Sequence, residues 1–311
     1  MDDYEGTPPN ILTLDIEDWR QSAPDVFYPE RTVTRPLVPP SERVITNTRR
    51  VLGILTDLGV RATCFVLGSV AECYPALVRE IDARGHEVAI HGYGHRPVFA
   101  MTPTQFQADV RRALAVVQDS TGKLVRGYRA PYFSITRRTQ WALPLLAELG
   151  LDYDASIYPC HPAFYRFPGW DGWADAPRYP HALVLGDQRL VEVPTTTILV
   201  GGLRLPLAGG AFLRFLPLRY FRRTMHDANA QGHPAILYLH PHDLDSEELR
   251  IPIPGESLRV RLMRFGLNVG RSRNARRLRM LLEGHSFATI QEWLSQREPA
   301  LELATGESAR S

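Results

Sequence analysis

Two histidines stand four residues apart in His91-Gly92-Tyr93-Gly94-His95, directly after the apolar-polar run His86-Glu87-Val88-Ala89-Ile90. The run reads as a short strand. The pair therefore sits at a strand end, in a tight turn or the first turn of a helix, where residues i and i+4 can point to one side. Two imidazoles converging there can form two-thirds of a three-ligand metal site. A carboxylate to complete it is available in Asp15-Ile16-Glu17-Asp18, after the apolar run Asn10-Ile11-Leu12-Thr13-Leu14. Like charges packed this closely cost free energy unless a cation or a proton compensates them. Arg129, in Arg129-Ala130-Pro131-Tyr132, ends a third extended segment. His240, in His240-Pro241-His242-Asp243, follows a fourth at 235–239.

A carboxylate and two histidines make a known arrangement for catalytic zinc that leaves a position open for water. A cation there acidifies water and polarises a carbonyl beside it. A second carboxylate can take the proton of that water, and Arg129 can hold this base ionised through a bidentate pair. His240 can protonate a leaving nitrogen. Together these groups are equipment for amide hydrolysis. Each has a blander reading alone: a satisfied structural histidine, a solvated acidic turn, a surface arginine–carboxylate pair. Complementary pieces at several separate strand ends argue for the chemical reading.

The elements that must carry these residues alternate. After the strand near 10–14, a Pro-rich loop spans 20–40. A helix opens at Ser41-Glu42-Arg43, with Val44, Val51, Leu52, Leu55 and Leu58 on one stripe and Gly59 as its stop. A strand over 60–67, a helix over 71–84 and a strand over 86–90 follow. The next helix starts at Thr102-Pro103 and presents Phe106, Val110, Leu114 and Val117. An extended segment at 127–130, a helix at 137–149 distorted by Pro144, and a strand at 151–156 carrying Asp152 and Asp154 complete the series. This order predicts a parallel sheet with crossover helices. Over so many units it predicts a distorted (β/α) barrel, whose active site lies at the C-terminal strand ends.

The regularity breaks after residue 160. Tyr165, Phe167, Trp170, Trp173 and Tyr179 lie among prolines and glycines. That loop reads either as a packed lid or as a platform for sugar rings. A strand pair at 182–185 and 190–193 surrounds Gly186-Asp187, and 199–207 is expected to extend it. Gly209-Gly210 lacks the spacing of a phosphate loop. A helix at 216–231 precedes the strand at 235–239. The stretch 259–279 holds eight arginines and no lysine, interleaved with Leu262, Phe265, Leu267 and Val269. It reads as helix with a solvated basic face, with contact to an anionic glycan or a membrane surface as the alternative. A last strand at 286–290, a last helix at 291–296 and a frayed tail from Pro299 close the chain.

The chain has 311 residues, 44% hydrophobic and 23% charged, ample for a large core. A net charge of +2 predicts no nucleic-acid partner. Cys64, Cys73 and Cys160 form neither a disulfide framework nor a metal spacing, which favours a reducing compartment. The acidic start carries no leader pattern, and no apolar run approaches the ~20 residues needed to span a bilayer. The expectation is a soluble cytoplasmic protein, with peripheral contact at the inner membrane left open and no oligomeric state specified.

The order Asp15-x-Glu-Asp, His91-x-x-x-His95, Arg129-Ala-Pro-Tyr132 and Leu239-His240 resembles the NodB-type polysaccharide deacetylases of carbohydrate esterase family 4. Glu192-Val193-Pro194, the run from Gly209 to Pro217 and Tyr238-Leu239-His240-Pro241 resemble the exosortase-associated exopolysaccharide-locus branch, which carries a C-terminal extension of the barrel. The resemblance implies one catalytic domain over 1–311, with a barrel core at about 10–160 and 232–296 and a family-specific insertion at about 161–231. It implies removal of N-acetyl groups from amino sugars of an exopolysaccharide or its precursor, with one divalent metal, zinc. Asp15 matches the general base, His91 and His95 the metal ligands, Arg129 the partner of the base, and His240 the acid. The Tyr132 backbone N–H would hold the oxyanion. Asp154 matches a motif near the acid histidine and would orient it. Two departures stand out. Ile16 follows Asp15 where the family has a second aspartate, so the ligand is Glu17, favoured by strand alternation, or Asp18, favoured by a turn starting at Ile16. Gly92 replaces a hydroxyl residue. The alternatives are an allantoinase-like C–N hydrolase, whose relatives lack the intact metal triad, and a non-catalytic glycan-binding protein.

Overall fold

The structure is a computed structural model, and it describes residues 7–21, 37–165, 167, 169–247, 257–299 and 301–304. Most of the Pro-rich loop expected at 20–40 lies outside the described residues.

Strand β1 (Asn10–Ile16) is buried along its whole length. Helix α1 (Arg43–Leu58) lays Val44, Val51, Leu52 and Leu55 against the core, and β2 (Thr63–Val66) follows. The single helix expected next is two, α2 (Gly68–Cys73) and α3 (Pro75–Ala83). Pro75 restricts the residue before it, and Tyr74 leaves the helical region at φ −134°, ψ 60°. After β3 (Glu87–Ile90), α4 (Pro103–Thr121) opens on a capping box between Thr102 and Gln105. Strand β4 (Gly127–Tyr128), helix α5 (Ala142–Glu148) and strand β5 (Tyr153–Asp154) complete the alternating part. Pro144 falls in the first turn of α5, where a missing N–H costs little, so it marks a start rather than a distortion.

Strands β6 (His181–Leu185) and β7 (Gln188–Glu192) form the expected hairpin. Strands β8 (Thr197–Val200) and β9 (Leu203–Pro206) pair with each other in a separate two-stranded sheet rather than extending it. Helices α6 (Gly210–Phe215) and α7 (Leu218–Asn229) lead to β10 (Ile236–Leu239). Helices α8 (Leu258–Asn268) and α9 (Asn274–Leu282), strand β11 (Phe287–Ala288), helix α10 (Ile290–Gln296) and strand β12 (Glu302–Ala304) end the described chain. The tail expected to fray from Pro299 instead contributes β12, which pairs in parallel with β6.

The main sheet runs β10-β1-β2-β3-β4-β5-β7-β6-β12, with β11 beside the start of β1. The β6–β7 hairpin is its antiparallel step. Beyond β7 the chain turns back to β10, where Thr196 N–H donates to Ile236 O at 3.1 Å. Pairing alone therefore runs as a path from β10 to β12. Side-chain alternation splits the core between the two faces. Leu12, Leu14, Ile16 and Val66 pack with the helices, while Ile11, Phe65, Ala89, Tyr153 and Val191 pack with Trp293 of α10.

Register is what builds the site. Ile16 pairs with Val66, Val66 with Ile90, Ile90 with Tyr128, Tyr128 with Asp154, and Asp154 with Glu192. Leu14 pairs with Leu239 on the other side. The residues just past those ends, Glu17, His91, Arg129 and His240, are thereby delivered to one edge of the sheet.

Candidate active site

At that edge lies a cavity of about 240 Å³ whose lining includes Asp15, Glu17, His91, His95, Tyr132 and His240. One Glu17 oxygen and one nitrogen from each of His91 and His95 all fall within 4.8 Å of one another. His95 Nε2 stands 2.6 Å from Glu17 Oε2 and His91 Nε2 stands 3.7 Å from it. All three residues are buried. Among the described residues no hydrogen bond reaches either carboxylate oxygen of Glu17, despite the short approach of His95. Buried carboxylate oxygens without donors are costly. Burial pushes the Glu17 carboxyl up, yet His95, His240 and His91 outweigh it and hold the group well below the ordinary range. His91 is pushed down to about 4, first by burial, and is neutral at physiological pH. Its Nδ1 lies 2.8 Å from Arg129 O, which fixes the N–H there and leaves Nε2 as a lone pair facing Glu17. The Glu17 carboxylate, the His91 lone pair and the His95 Nε2, converging without hydrogen-bond geometry, fit a divalent cation.

The turn holding these histidines is set by sequence. Gly92 adopts φ 68°, and a Cβ there would meet Asp109 Oδ2 at 3.0 Å. That oxygen accepts from Tyr93 N–H at 2.8 Å, so α4 clamps the turn. The glycine that departs from the family pattern thus has a local reason. His95 itself takes a left-handed backbone, φ 55°.

Asp15 faces Arg129 on the inner side of the sheet. Arg129 is fully buried, and its Nη1 donates to Asp15 Oδ1 at 2.7 Å and to Thr13 Oγ1 at 2.8 Å, while Nε donates to Ala155 O at 3.0 Å. The expected bidentate pair is therefore a single charge-assisted bond. The guanidinium divides its other donors because the neighbouring acceptors are a hydroxyl and a backbone carbonyl. His240 Nε2 lies 3.9 Å from Asp15 Oδ2 and 3.7 Å from Glu17 Oε1. Burial opposes charge on His240, but Glu17, Asp243 and Asp15 overcome it and raise the imidazole to about 9. His240 Nδ1 is 3.3 Å from Asp243 Oδ2, which also accepts His240 N–H at 3.0 Å.

Tyr132 and Phe133 both occupy left-handed backbone, φ 58° and 48°. Such residues cost of order 1–3 kcal/mol each and persist where their surroundings hold them. Trp170 Nε1–H donates to Phe133 O at 2.8 Å, and the Tyr132 ring stacks on Phe167 at 4.0 Å and meets His95 edge-on at 4.5 Å. The aromatic loop is therefore chiefly packing for this strained turn. Tyr165 from the same loop lines the cavity.

Two sequence-derived candidates go elsewhere. Asp18 accepts from Ser41 N–H and Oγ–H and from Arg20 N–H, anchoring the start of α1 instead of joining the histidines. Asp154 does not meet His240. It accepts from Ser156 Oγ–H, Ser156 Oγ accepts from Ala130 N–H at 2.7 Å, and Asp154 lies beside Glu192. Burial first, then the Asp154 charge, pushes the Glu192 carboxyl well above its usual range, and Asp154 rises to about 6. This pair supports the Arg129–Tyr132 turn from below, through Ser156 on Ala130 N–H and Glu192 on Ile157 N–H. Sequence reasoning missed Asp243 as the partner of His240, although His240-x-x-Asp243 is a three-residue spacing that a helical turn closes. It also missed Gly210, where a Cβ would fall 2.0 Å from Asp243 Cγ. Gly210 allows the close approach of that carboxylate, while Gly209, at φ 107°, lies against the Tyr238 hydroxyl.

Residues 42–153 match the family model described as polysaccharide deacetylase. Residues 155–295 match a domain of unknown function (DUF3473). A peptidoglycan deacetylase of Helicobacter pylori is 30% identical over 152 residues, 47% of this chain and 51% of that protein. The chain spans about half or less of the length of the curated relatives it matches. A Mycobacterium smegmatis structure assigned as a polysaccharide deacetylase shares the fold with TM-score 0.59 and 20% identity, covering 99% of this chain and 98% of that one. An allantoinase structure shares it with TM-score 0.52 and 15% identity, covering 95% and 87%. The deacetylase match contains His91, His95, Arg129 and Tyr132, whereas Asp15 and Glu17 precede it and Glu192, His240 and Asp243 lie in the second match.

Proposed function

We propose that the chain is a zinc-dependent N-deacetylase acting on N-acetylated amino sugars of an exopolysaccharide or its precursor. The observation that carries this is the meeting, in one cavity, of Glu17, His91 and His95 with the Asp15–Arg129 and His240–Asp243 pairs. Glu17, His91 and His95 would hold the cation, which supplies Lewis acidity to water and to the acetamide carbonyl. Asp15, fixed by Arg129, takes the proton of the attacking water. The Tyr132 backbone N–H donates to the oxygen that becomes negative. His240, kept charged by Asp243, gives its proton to the nitrogen as the C–N bond breaks, so acetate and a free amine leave.

The intact carboxylate–dihistidine cluster supports this reading over an allantoinase-like hydrolase. Trp19, Tyr132 and Tyr165 on the cavity wall suit the apolar face of a pyranose ring. The test is acetate release from N-acetylglucosamine and N-acetylgalactosamine oligomers by protein dialysed against zinc. Release is expected, and it should vanish in a His91→Ala, His95→Ala double variant. Activity persisting in that variant would overturn the mechanism. Hydrolysis of allantoin without acetate release would favour the amidase, and sugar binding without either would favour a binding protein.

A further inference from the structure

Helix α8 is inside out. Its sequence, Leu-Arg-Val-Arg-Leu-Met-Arg-Phe-Gly-Leu-Asn, is expected to bury leucine and phenylalanine and expose arginine. The structure reverses this at four positions. Leu258, Leu262 and Phe265 are 71%, 62% and 71% exposed, and Arg264 is 5% exposed. At about 100° per residue these three apolar side chains fall within an arc of roughly 60°. Val260, buried, and Arg264 lie on the opposite side. Arg259 and Arg261, both exposed, flank the apolar arc on its two edges.

The inward arginines hold the segment in this orientation. Arg271 donates to Leu267 O at 3.0 Å and to His242 O at 2.7 Å. Arg214 donates to Leu267 O and to Val269 O. These bonds place guanidinium groups on the last carbonyls of α8, where the helix presents partial negative charge. Phe215, next to Arg214 and 61% exposed, and Val269, 45% exposed, extend the outward apolar surface at that end. Leu267, Arg271 and Arg214 line the active-site cavity, so the patch adjoins the cavity mouth.

An apolar face left in water needs an occupant. We propose that α8 is a docking face for an anionic lipid bilayer, lying in the interface with Leu258, Leu262 and Phe265 inserted and Arg259 and Arg261 at the headgroups. Charge decides the occupant. No acidic residue occurs between Glu256 and Glu283, whereas eight arginines do. A two-fold contact with a second copy would set these arginines against one another, because the same patch faces itself across the axis. An anionic surface complements them, and arginine stems can lie along the acyl boundary with their charges in the headgroups. Among the described residues no helix is long and apolar enough to cross a membrane, so the contact is peripheral. The proposal does not depend on the deacetylase reading.

The experiment is co-sedimentation of the full chain with phosphatidylcholine vesicles, with and without phosphatidylglycerol, at low and high salt. Binding is expected to the anionic vesicles, weakening as salt rises. A Leu262→Ser, Phe265→Ser double variant should bind them on the order of tenfold more weakly or worse. An Arg259→Ser, Arg261→Ser variant should lose its preference for phosphatidylglycerol. All four side chains are exposed, so each variant should keep the wild-type melting temperature. Acetate release from soluble oligomers, where the wild type shows it, should be unchanged, which separates this test from that of the activity. No binding to anionic vesicles, or equal binding by the double variant, overturns the proposal. So does a dimer in solution that the double variant dissociates, since that makes a second copy the occupant.

Discussion

Arg129 and Asp15 are buried together, Arg129 completely and Asp15 at the cavity wall. Replacing Arg129 with Met keeps much of the side-chain volume but removes the partner of the Asp15 carboxylate 2.7 Å away. Breaking a buried pair by deleting one member costs about 3–5 kcal/mol, because the other charge stays buried without compensation. Thr13 Oγ1 and Ala155 O each lose a donor, adding about 1 kcal/mol apiece. The sum, about 5–7 kcal/mol, approaches the whole stability of a typical domain. Changing Asp15 to Asn in the Met background removes the stranded charge and should return about 2–3 kcal/mol. The assay is a double-mutant cycle by urea unfolding over wild type, Arg129→Met, Asp15→Asn and the double variant, with chelator present so that no cation compensates Asp15. A coupling energy of at least about 2 kcal/mol is expected for groups in direct contact. A coupling under about 0.5 kcal/mol would refute the view that this pair is one electrostatic unit. If Arg129→Met does not fold, Arg129→Lys serves in its place, since it keeps charge but cannot reach all three acceptors.

Four further outcomes follow from the same geometry. Glu17→Gln should lower zinc affinity by more than roughly 100-fold in competition with a chelating dye, while Asp18→Asn should leave affinity intact and lower the melting temperature by loosening the start of α1. Asp243→Asn should reduce the rate of acetate release by roughly 100-fold, and the alkaline limb of kcat/KM should move to lower pH, because Asp243 is one of the groups that raises His240. Gly210→Ala should produce a comparable loss without altering zinc binding, since its Cβ displaces Asp243 and not Glu17. Glu192 has a folded pKa above its unfolded one, so its stabilising proton is fully present below about pH 4 and is lost as pH rises through the folded value. Melting temperature should therefore fall with rising pH in wild type and fall less in Glu192→Gln, which carries the neutral form permanently.

The alternating half of the chain was legible because strand and helix periods are local properties. The strand ends at Ile90 and Leu239 fall where apolar runs meet polar residues, whereas β1 runs two residues past the expected end at Leu14, to Ile16. Asp15 and Glu17, two residues apart as strand alternation requires, share the cavity, and Asp18 turns away to Ser41. What local pattern could not reach was pairing between distant segments. Asp154 was matched to His240 by motif, yet its neighbour is Glu192, brought alongside by the β5–β7 register. The single-bond geometry of Arg129 likewise depends on Thr13 and Ala155, from two other strands. In α8, periodicity correctly indicated a helix but not which face turns inward. Arg214 and Arg271, outside the helix, donate to its Leu267 carbonyl, and Arg271 also to the His242 carbonyl, contacts that no hydrophobicity pattern encodes.

The two family matches meet at residue 154, but the chemistry does not divide there. The deacetylase match supplies the two histidines and Arg129. Arg129 needs the Ala155 carbonyl for its Nε–H, and the Tyr132 turn needs Ser156 on Ala130 N–H and Trp170 on Phe133 O. Across the cavity, His240 and Asp243 face Asp15 and Glu17, which lie before either match. Because β10 pairs with β1, the candidate acid cannot be presented until the second segment has closed onto the first strand. The segment of unknown function is therefore a structural part of the proposed catalytic site. Truncation after residue 154 would strip the proposed acid, its carboxylate and the supports of the proposed oxyanion turn together, leaving the candidate cation site without the groups proposed to complete the reaction.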